Sequence, residues 1–321
     1  MKQATPEKLL KYLNDSIKGL RLGSSPIELY DPFYYIMSLG GKRIRPLLTL
    51  LVYNMFKEDY ESACMPALGV EVFHNFSLVH DDVMDEASLR RGKPTVHNKW
   101  NENIAILSGD VMLVKAYELI AKVPEVKLLP SVLKRFGATA AEVCEGQQKD
   151  MNFESQDFVS EMEYLDMIRQ KTAVLLGFSM ELGAILAGKE KAISDNIFDI
   201  GVKMGLAFQL QDDLLDTYGD DKFGKQIGGD IINNKKTYLM VMAMKLAKGE
   251  EEKRKLLVRT ALEDDQIISN VKEVFDNLGI KKLTTDKIEE LVEESTASLL
   301  SLGTDTTQLM DVFAGLRKRV I

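Results

Sequence analysis

The distribution of proline constrains the fold of this chain more than any other feature of its sequence. All eight prolines lie at or before Pro130, and residues 131–321 contain none. Proline removes a backbone donor and clashes with the preceding helical turn, so its absence permits long uninterrupted helices. Residues 131–321 are therefore predicted to form mainly helices.

The spacing of apolar residues favours helices throughout the chain. Thr5 and Pro6 are typical of an N-cap and a first helical position. Apolar residues then recur every three or four positions in three stripes: Leu9, Leu10, Leu13, Ile17 and Leu20; Ile197, Ile200, Met204 and Phe208; and Ile288, Leu291, Val292, Leu299 and Leu302. Residues 152–157 and 189–195 are predicted to be loops. With no period-two alternation and no Asn-Gly hairpin signal, the sequence predicts one all-α domain over residues 1–321, with about ten or more helices.

The composition excludes several classes of protein. Hydrophobic residues make up 45% and charged residues 28% of the chain, as in an ordinary globular protein. The net charge of -8 argues against a nucleic-acid partner. Two cysteines without CxxC spacing, Cys64 and Cys144, favour a reducing compartment. The most apolar stretch, residues 172–188, contains Glu181 and is too short to span a membrane. These features predict a cytoplasmic protein with no integral membrane segment.

Two acidic clusters of the form DDxxD carry the strongest chemical signal. They are Asp81-Asp82-Val83-Met84-Asp85 and Asp212-Asp213-Leu214-Leu215-Asp216. In a helix the first and last aspartates of each cluster share one face, one turn apart, where like charges repel. Mg²⁺ takes one or two carboxylates and completes its shell with water and phosphate oxygens. One such cluster is typical of a solvated helix end, whereas two together indicate Mg²⁺ ions around a diphosphate.

Basic residues suited to the same anion occur in separate short segments. Residues 40–46, Gly-Gly-Lys-Arg-Ile-Arg-Pro, combine three cations with glycines that allow close backbone approach. Further candidates are Arg90, Arg91, Lys171, Lys225 and Lys235. Arginine grips phosphate oxygens with a planar fork of donors. Taken singly, each lysine is more typical of a plain surface residue.

One histidine pattern suggests a different metal. Glu71 and His74 match the Glu-x-x-His unit of di-iron helical bundles, which need two such units. Ser77 precedes His80 and Pro94 precedes His97 at the equivalent spacing, so no second unit exists. The di-iron hypothesis is therefore excluded.

Four segments together resemble the trans-prenyl diphosphate synthases of the polyprenyl synthetase family. They are GGKRIRP, HNFSLVHDDVMDEASLRRGKPTVH, QKTA and FQLQDDLLDTYGDDKFGKQIGGD, in the family's order. The resemblance implies the all-α isoprenoid synthase fold around a central cavity lined by both acidic clusters, and a homodimer. It also implies Mg²⁺-dependent condensation of isopentenyl diphosphate with an allylic diphosphate, using about three Mg²⁺ ions. An allylic cation forms, the isopentenyl double bond attacks it, and the released pyrophosphate takes the proton.

The resemblance also assigns roles to individual residues. The implied metal ligands are Asp81, Asp85, Asp212 and Asp216, supported by Asp82 and Asp213. The implied allylic diphosphate ligands are Arg90, Lys171, Thr172, Gln209, Lys225 and Lys235, of which Lys171 is also counted as catalytic. The implied ligands of the isopentenyl diphosphate are Lys42, Arg45, His74 and Arg91.

Product length depends on the residues just before the first acidic cluster. The aromatic Phe76 followed by the small Ser77 resembles the pattern found in geranylgeranyl (C20) synthases. A farnesyl (C15) product is the next expectation. Helix rise separates Phe76 from Asp81 by about 7.5 Å, which suits a short product. However, Phe76 lies about 140° around the helix from Asp81. If it is an ordinary core residue, longer polyprenyl chains are possible.

Two other functions are alternatives to a prenyl diphosphate synthase. A class I terpene cyclase shares the first acidic motif, but it generally has a different second metal motif and needs no isopentenyl diphosphate site. A non-catalytic partner subunit would be expected to lose an acidic cluster or the basic residues. The second DDxxD cluster and residues 40–46 favour the synthase.

Overall fold

The computed structural model describes residues 3–219, 227–257 and 263–317. Over these residues the chain forms sixteen α-helices joined by short connections. They are α1 Pro6–Gly19, α2 Ile27–Ser38, α3 Ile44–Asn54, α4 Cys64–Met84, α5 Val96–Lys99, α6 Glu102–Ile120, α7 Leu129–Glu154, α8 Glu161–Ile168, α9 Val174–Leu186, α10 Lys191–Tyr218, α11 Gly229–Ile232, α12 Tyr238–Leu246, α13 Glu250–Leu257, α14 Asp264–Asn277, α15 Ile280–Leu300 and α16 Thr307–Arg317. The all-α prediction is confirmed.

Short irregular elements complete the described chain. Two 3₁₀ turns lie at Tyr60–Ala63 and Val126–Leu128, and a π-helical turn at Arg169–Ala173 joins α8 to α9. Strands β1 (Leu89–Arg90) and β2 (Lys93–Pro94) pair as an antiparallel ladder.

Local sequence signals predicted the start of α1 correctly but not the ends of two later helices. The Thr5 hydroxyl accepts a hydrogen bond from the Lys8 N–H at 3.4 Å, and Pro6 begins α1 as predicted. The predicted loops were partly wrong, because α7 continues to Glu154 and α10 begins at Lys191. Lys191 forms an ion pair with Asp195, one turn along α10. An exposed, polar first turn of a helix has the composition of a loop, which explains the error.

The described residues fall into two compact units. The first unit comprises residues 1–138, 178–198 and 303–309. Its core includes a row of aromatic rings. The ring centre of Phe136 lies 5.2 Å from that of Phe73 and 5.5 Å from that of Phe178. Helix α4 packs closely against α6, because a Cβ at Gly69 would lie only 2.6 Å from the Ile120 side chain.

The second unit comprises residues 139–177, 199–302 and 310–321. Helix α12 lies at its centre, in contact with α8, α14 and α15. Most of α12 is buried, and Leu239 and Ala243 have no exposed surface. The prediction of one domain over residues 1–321 stays a prediction.

Two helical glycines in the first unit give opposite expectations. In Gly69→Ala the new methyl group would lie 2.9 Å from the Ile120 backbone nitrogen and 3.0 Å from the Ala116 carbonyl oxygen, so we expect a loss of about 1–3 kcal/mol. In Gly137→Ala the nearest atom is the Tyr117 hydroxyl at 3.6 Å, so we expect a gain of about 0.5–1 kcal/mol. Thermal unfolding of both variants measures the difference; equal midpoints would contradict the close α4–α6 packing.

Candidate active site

The first acidic cluster lies at the C-terminal end of α4. Asp81 and Asp82 belong to its last turn, and the Asp85 N–H closes that turn on the Asp81 carbonyl at 2.9 Å. The helix dipole places partial negative charge at this end, which disfavours carboxylates by about 0.3–1 kcal/mol each. Asp81 is half-buried and Asp85 is exposed. A helix end with this charge requires cations nearby.

Asp82 differs from its neighbours because it is buried and paired. Arg90 Nε donates to both carboxylate oxygens of Asp82 at 2.8 Å, and Nη2 donates to Oδ1 at 2.6 Å. Only 1% of Asp82 is exposed, and this burial raises the pKa of its carboxyl against the lowering effect of Arg90. The middle aspartate thus fixes Arg90 beside the end of α4.

A hairpin between β1 and β2 carries the two arginines to this cluster. Arg91 and Gly92 have φ values of +53° and +71°, as a type I′ turn requires at both central positions. The sequence analysis missed this hairpin because arginine is an uncommon residue in the left-handed region. The Tyr35 hydroxyl donates to the Pro94 carbonyl at 2.7 Å, and Lys99 Nζ lies 3.7 Å from the centre of the Tyr35 ring. Tyr35 therefore holds the hairpin against α2.

Residues 40–46 form a tight, partly left-handed turn into α3. Gly40 and Gly41 have φ values of +79° and +135°. Arg91 Nη1 donates to the Gly40 carbonyl, and a Cβ at Gly41 would lie 3.0 Å from the Arg91 guanidinium. The glycines thus admit Arg91 next to the exposed Lys42.

His74 on α4 contacts Arg45 on α3. Arg45 Nη1 lies 3.2 Å from His74 Nε2. Burial, reinforced by Arg45 and Arg91, holds the pKa of His74 well below its usual value, so the ring is neutral. Burial also lowers the pKa of Arg45 to about 10, which still leaves it charged at neutral pH. A neutral imidazole accepts from Arg45 without cancelling its charge.

The second acidic cluster lies in the last two turns of α10. Only 3% of Asp213 is exposed, and its Oδ2 accepts from the Tyr164 hydroxyl and, at 3.1 Å, from the Tyr238 N–H. Gln209 Nε2 donates to Asp213 Oδ1 at 3.1 Å. Burial raises the pKa of Asp213 to about 6, although these hydrogen bonds oppose the shift. Here too the middle aspartate is held by its own unit.

The outer aspartates of this cluster, Asp212 and Asp216, are half-buried. Asp216 Oδ2 accepts from the Asp230 N–H at 3.0 Å, and the Asp216 carbonyl accepts from the Gly228 N–H at 2.7 Å. Lys235 follows α11 and is exposed, whereas Lys225 lies outside the described residues.

The π-helical turn places Lys171 and Thr172. Lys171 Nζ donates to Asp150 Oδ2 at 2.5 Å, and the Thr172 hydroxyl donates to Gln209 Oε1 at 3.2 Å. The turn packs tightly on two other helices: a Cβ at Gly146 would overlap the Lys171 backbone nitrogen, and a Cβ at Gly205 would lie 2.6 Å from the Ala173 Cα. Such π turns often occur at functional sites. Within the second unit, Thr172, Gln209 and Asp213 form one continuous chain of hydrogen bonds.

Phe76 lies in the core beside two rings of its own helix. It is 7% exposed, and its ring centre lies 5.4 Å from Phe73 and 4.8 Å from His80. The Ser77 hydroxyl donates to the His74 carbonyl at 2.8 Å. The Phe76 ring thus packs against side chains about one turn before and one turn after it on α4.

The described residues contain no group of three or more His, Cys, Asp or Glu side chains that could hold a metal ion alone. This agrees with the burial of Asp82 and Asp213, which leaves two outer carboxylates in each cluster. Two carboxylates suit Mg²⁺, which completes its shell with water and diphosphate oxygens. The donor set therefore fits Mg²⁺ accompanied by substrate.

Some residues of these sites could not be found from the sequence. Tyr164 and Asp150 hold Asp213 and Lys171, yet both occur in ordinary helical sequence without a motif. Arg43, whose neighbours Lys42 and Arg45 were selected, forms a buried ion pair instead. Its partner Glu71 lies 28 residues further along the chain, so no local pattern separates Arg43 from Lys42 and Arg45.

Comparison with known proteins decides the family. The polyprenyl synthetase family model matches residues 26–278, which is most of the chain. This chain belongs to the polyprenyl synthetase family. It is a prenyltransferase of the isoprenyl diphosphate synthase type, as the resemblance in its motifs implied. Among the helices of the described residues, none is long and apolar enough to cross a membrane.

Similar proteins of this family extend over nearly the whole synthase. A geranylgeranyl pyrophosphate synthase of Geoglobus acetivorans is 36% identical over 90% of this chain and 89% of its own length. A short chain isoprenyl diphosphate synthase of Methanocaldococcus jannaschii is 39% identical over 83% and 76%. A crystal structure of a geranylgeranyl pyrophosphate synthase superposes with a TM-score of 0.93 at 40% identity, over 99% and 98% of the two chains.

The neutral His74 gives the synthase a pH dependence of definite sign. Its folded pKa lies below the unfolded value of about 6.5, so the stability it contributes is present above that pH. This stability is lost as the pH falls toward the folded pKa, because the unfolded chain takes up the proton first. Because the raised pKa of Asp213 acts in the opposite direction, the variant is compared with wild type: as the pH falls below about 6.5, we expect the thermal midpoint of His74→Gln, which keeps an acceptor for Arg45, to rise relative to that of wild type.

The histidine ring signals in NMR spectra test the cause directly. The chain has three histidines, so His74→Gln identifies the His74 signal by its loss. We expect that signal to stay at its neutral position down to about pH 6. A His74 signal that titrates near pH 6.5 would contradict the buried, neutral ring.

Proposed function

We propose that this synthase condenses isopentenyl diphosphate with an allylic diphosphate to give geranylgeranyl diphosphate (C20). The observation that carries the proposal is the repeated arrangement of the acidic clusters. In each one the middle aspartate is buried in hydrogen bonds, and we propose that the outer two bind the metal ions. The names of the Geoglobus relative and of the superposed crystal structure support C20.

The proposed roles of the acidic residues follow from burial. The metal would be held by the outer aspartates, Asp81, Asp85, Asp212 and Asp216. The middle aspartates would support them: Asp82 through its contact with Arg90, and Asp213 through its contact with Tyr164. Members of the family depend on Mg²⁺, and we propose about three ions with substrate bound. When bound, Mg²⁺ neutralises the charge that develops on the departing diphosphate.

The other proposed binding residues divide between the two substrates. Arg90, Lys171, Thr172, Gln209, Lys225 and Lys235 would hold the allylic diphosphate. Lys42, Arg45, His74 and Arg91 would hold the diphosphate of isopentenyl diphosphate. Cations fixed before the reaction stabilise developing negative charge at no reorganisation cost. The apolar helices exclude water, which would otherwise capture the allylic cation.

An assay of the purified chain tests this function. With Mg²⁺, isopentenyl diphosphate and farnesyl diphosphate, we expect a C20 product by chromatography after dephosphorylation, and none after chelation of Mg²⁺. Asp81→Asn and Asp212→Asn should each lower kcat/KM by about 10²–10³-fold. Asp286→Asn, which changes an exposed aspartate on α15, is the matched control and should be silent. Absence of product, or equal activity in all variants, would contradict the proposal.

The same chromatogram tests the chain-length residues Phe76 and Ser77. We propose that Phe76 limits the growing chain and that the small Ser77 leaves room for it, so Phe76→Ala should shift the product beyond C20. Phe33→Ala, which also removes a buried ring of the first unit, should lower stability without changing chain length. An unchanged product from Phe76→Ala would show that Phe76 only fills the core.

We also propose that the synthase is a cytoplasmic homodimer. Helix α6 exposes an apolar stripe that includes Ile106, Leu107 and Val114, with Leu107 58% and Val114 55% exposed. Such a stripe is suited to a second copy of the chain. For the location, Cys64 and Cys144 are both free thiols, as in a reducing compartment.

Light scattering after size exclusion measures the assembly. We expect twice the chain mass of 36.1 kDa for the wild type and a smaller mass for Val114→Glu. The control Leu300→Glu, at an apolar residue of α15 that is 64% exposed, should keep the wild-type mass. A monomeric wild type would contradict the homodimer.

A further inference from the structure

The Glu-x-x-His pattern on α4, which binds no di-iron centre, has another explanation in the structure. Glu71 Oε1 accepts from Arg43 Nη1 at 2.5 Å, and His74 lies against Arg45. Residues three apart share one face of a helix. The pattern is therefore a two-point attachment of residues 40–46 to α4.

The first attachment is buried and joins three segments of the chain. Arg43 is 5% exposed and Glu71 is 2% exposed. Arg43 Nη2 donates to the Met37 carbonyl at 2.7 Å, while Asn75 Nδ2 donates to Glu71 Oε1 at 3.1 Å. A buried ion pair of this kind is strongly destabilised when one partner is removed. Arg43 thus ties α2, residues 40–46 and α4 together.

The attachment also holds an unfavourable backbone conformation. Arg43 has a φ of +49°, a left-handed value that costs energy for any residue with a Cβ. Its carbonyl nevertheless accepts from the Leu47 N–H at 3.0 Å, which begins α3. Because α3 starts from this residue, the conformation of Arg43 decides where Lys42 and Arg45 are placed.

The two attachments differ in how much arginine charge they leave available to a ligand. The carboxylate of Glu71 offsets the charge of Arg43 in a pair whose side chains are both 3% exposed. Arg45 instead meets the imidazole of His74, which its surroundings keep neutral. The charge of Arg45 therefore remains available to an anion, whereas the buried Arg43 is occupied by Glu71.

We propose that Arg43 and Glu71 are positioning residues, whose buried ion pair sets Lys42 and Arg45 in place to receive the diphosphate of isopentenyl diphosphate. Neither residue touches the substrate. The inference rests on the function proposed above, because it assigns a support to one of that function's two anion sites.

Steady-state kinetics of Arg43→Lys test the inference. Lysine keeps the charge but lacks the fork that reaches both Glu71 and the Met37 carbonyl. We expect KM for isopentenyl diphosphate to rise about tenfold, with kcat and the allylic KM within about twofold of wild type. The matched control is Arg135→Lys, which alters another ion pair of the first unit, between Arg135 Nε and Glu181 Oε2 at 2.5 Å. It should leave both KM values unchanged.

A second variant removes the ion pair without leaving a buried charge. Arg43→Met combined with Glu71→Leu keeps the apolar volume and should fold. We expect it to show the same selective rise in KM, and the Leu47 amide, which donates to the Arg43 carbonyl, to exchange hydrogen faster than in wild type. A KM for isopentenyl diphosphate within about twofold of wild type in both folded variants would overturn the inference, as would an equal rise in both KM values.

Hydrogen exchange separates this inference from the proposed function. It is measured without substrate, so an inactive wild type would overturn the proposed function while the exchange of the Leu47 amide still reports on positioning. Unchanged exchange in the double variant would then overturn the role of Arg43 and Glu71.

Discussion

Burial of the middle aspartate in each acidic cluster is the constraint on which the candidate site depends. Asp82 is fixed by the Arg90 fork and Asp213 by Tyr164, Gln209 and the Tyr238 N–H. A buried carboxylate without partners would cost several kcal/mol, so each middle aspartate is tied to its donors. The direction in which the outer aspartates leave the helix is then fixed as well, because they lie in the same helical turns. Three similar acids thus become one anchor and two proposed metal ligands.

Helix direction gives both clusters the same electrostatic character. Each lies at the C-terminal end of a long helix, α4 or α10, where the dipole adds negative charge to that of the carboxylates. Pairs such as Arg90 with Asp82 offset part of this charge. Metal ions bound together with a diphosphate would supply the positive charge that such a helix end favours. Binding of substrate and metal is therefore expected to be coupled.

The sequence predicted the features that depend on local patterns. Helical periodicity and the Thr5–Pro6 cap gave the fold class and the start of α1, and the motifs gave the family. Features that depend on distant packing were not predictable. The π turn at Lys171 depends on Gly146 and Gly205, which come from two other helices. The β1–β2 hairpin depends on a left-handed Arg91, and Arg43 was separated from Lys42 and Arg45 only by its contact with Glu71.

The central claim is that both acidic clusters serve one allylic diphosphate. Calorimetric titration of a non-reactive thiolodiphosphate analogue of farnesyl diphosphate, with Mg²⁺ present, tests it most directly. The account predicts one analogue bound per chain, with affinity lowered at least about tenfold by Asp81→Asn and also by Asp212→Asn. Wild-type affinity in either variant would show that its cluster takes no part in binding this ligand, and would contradict the account.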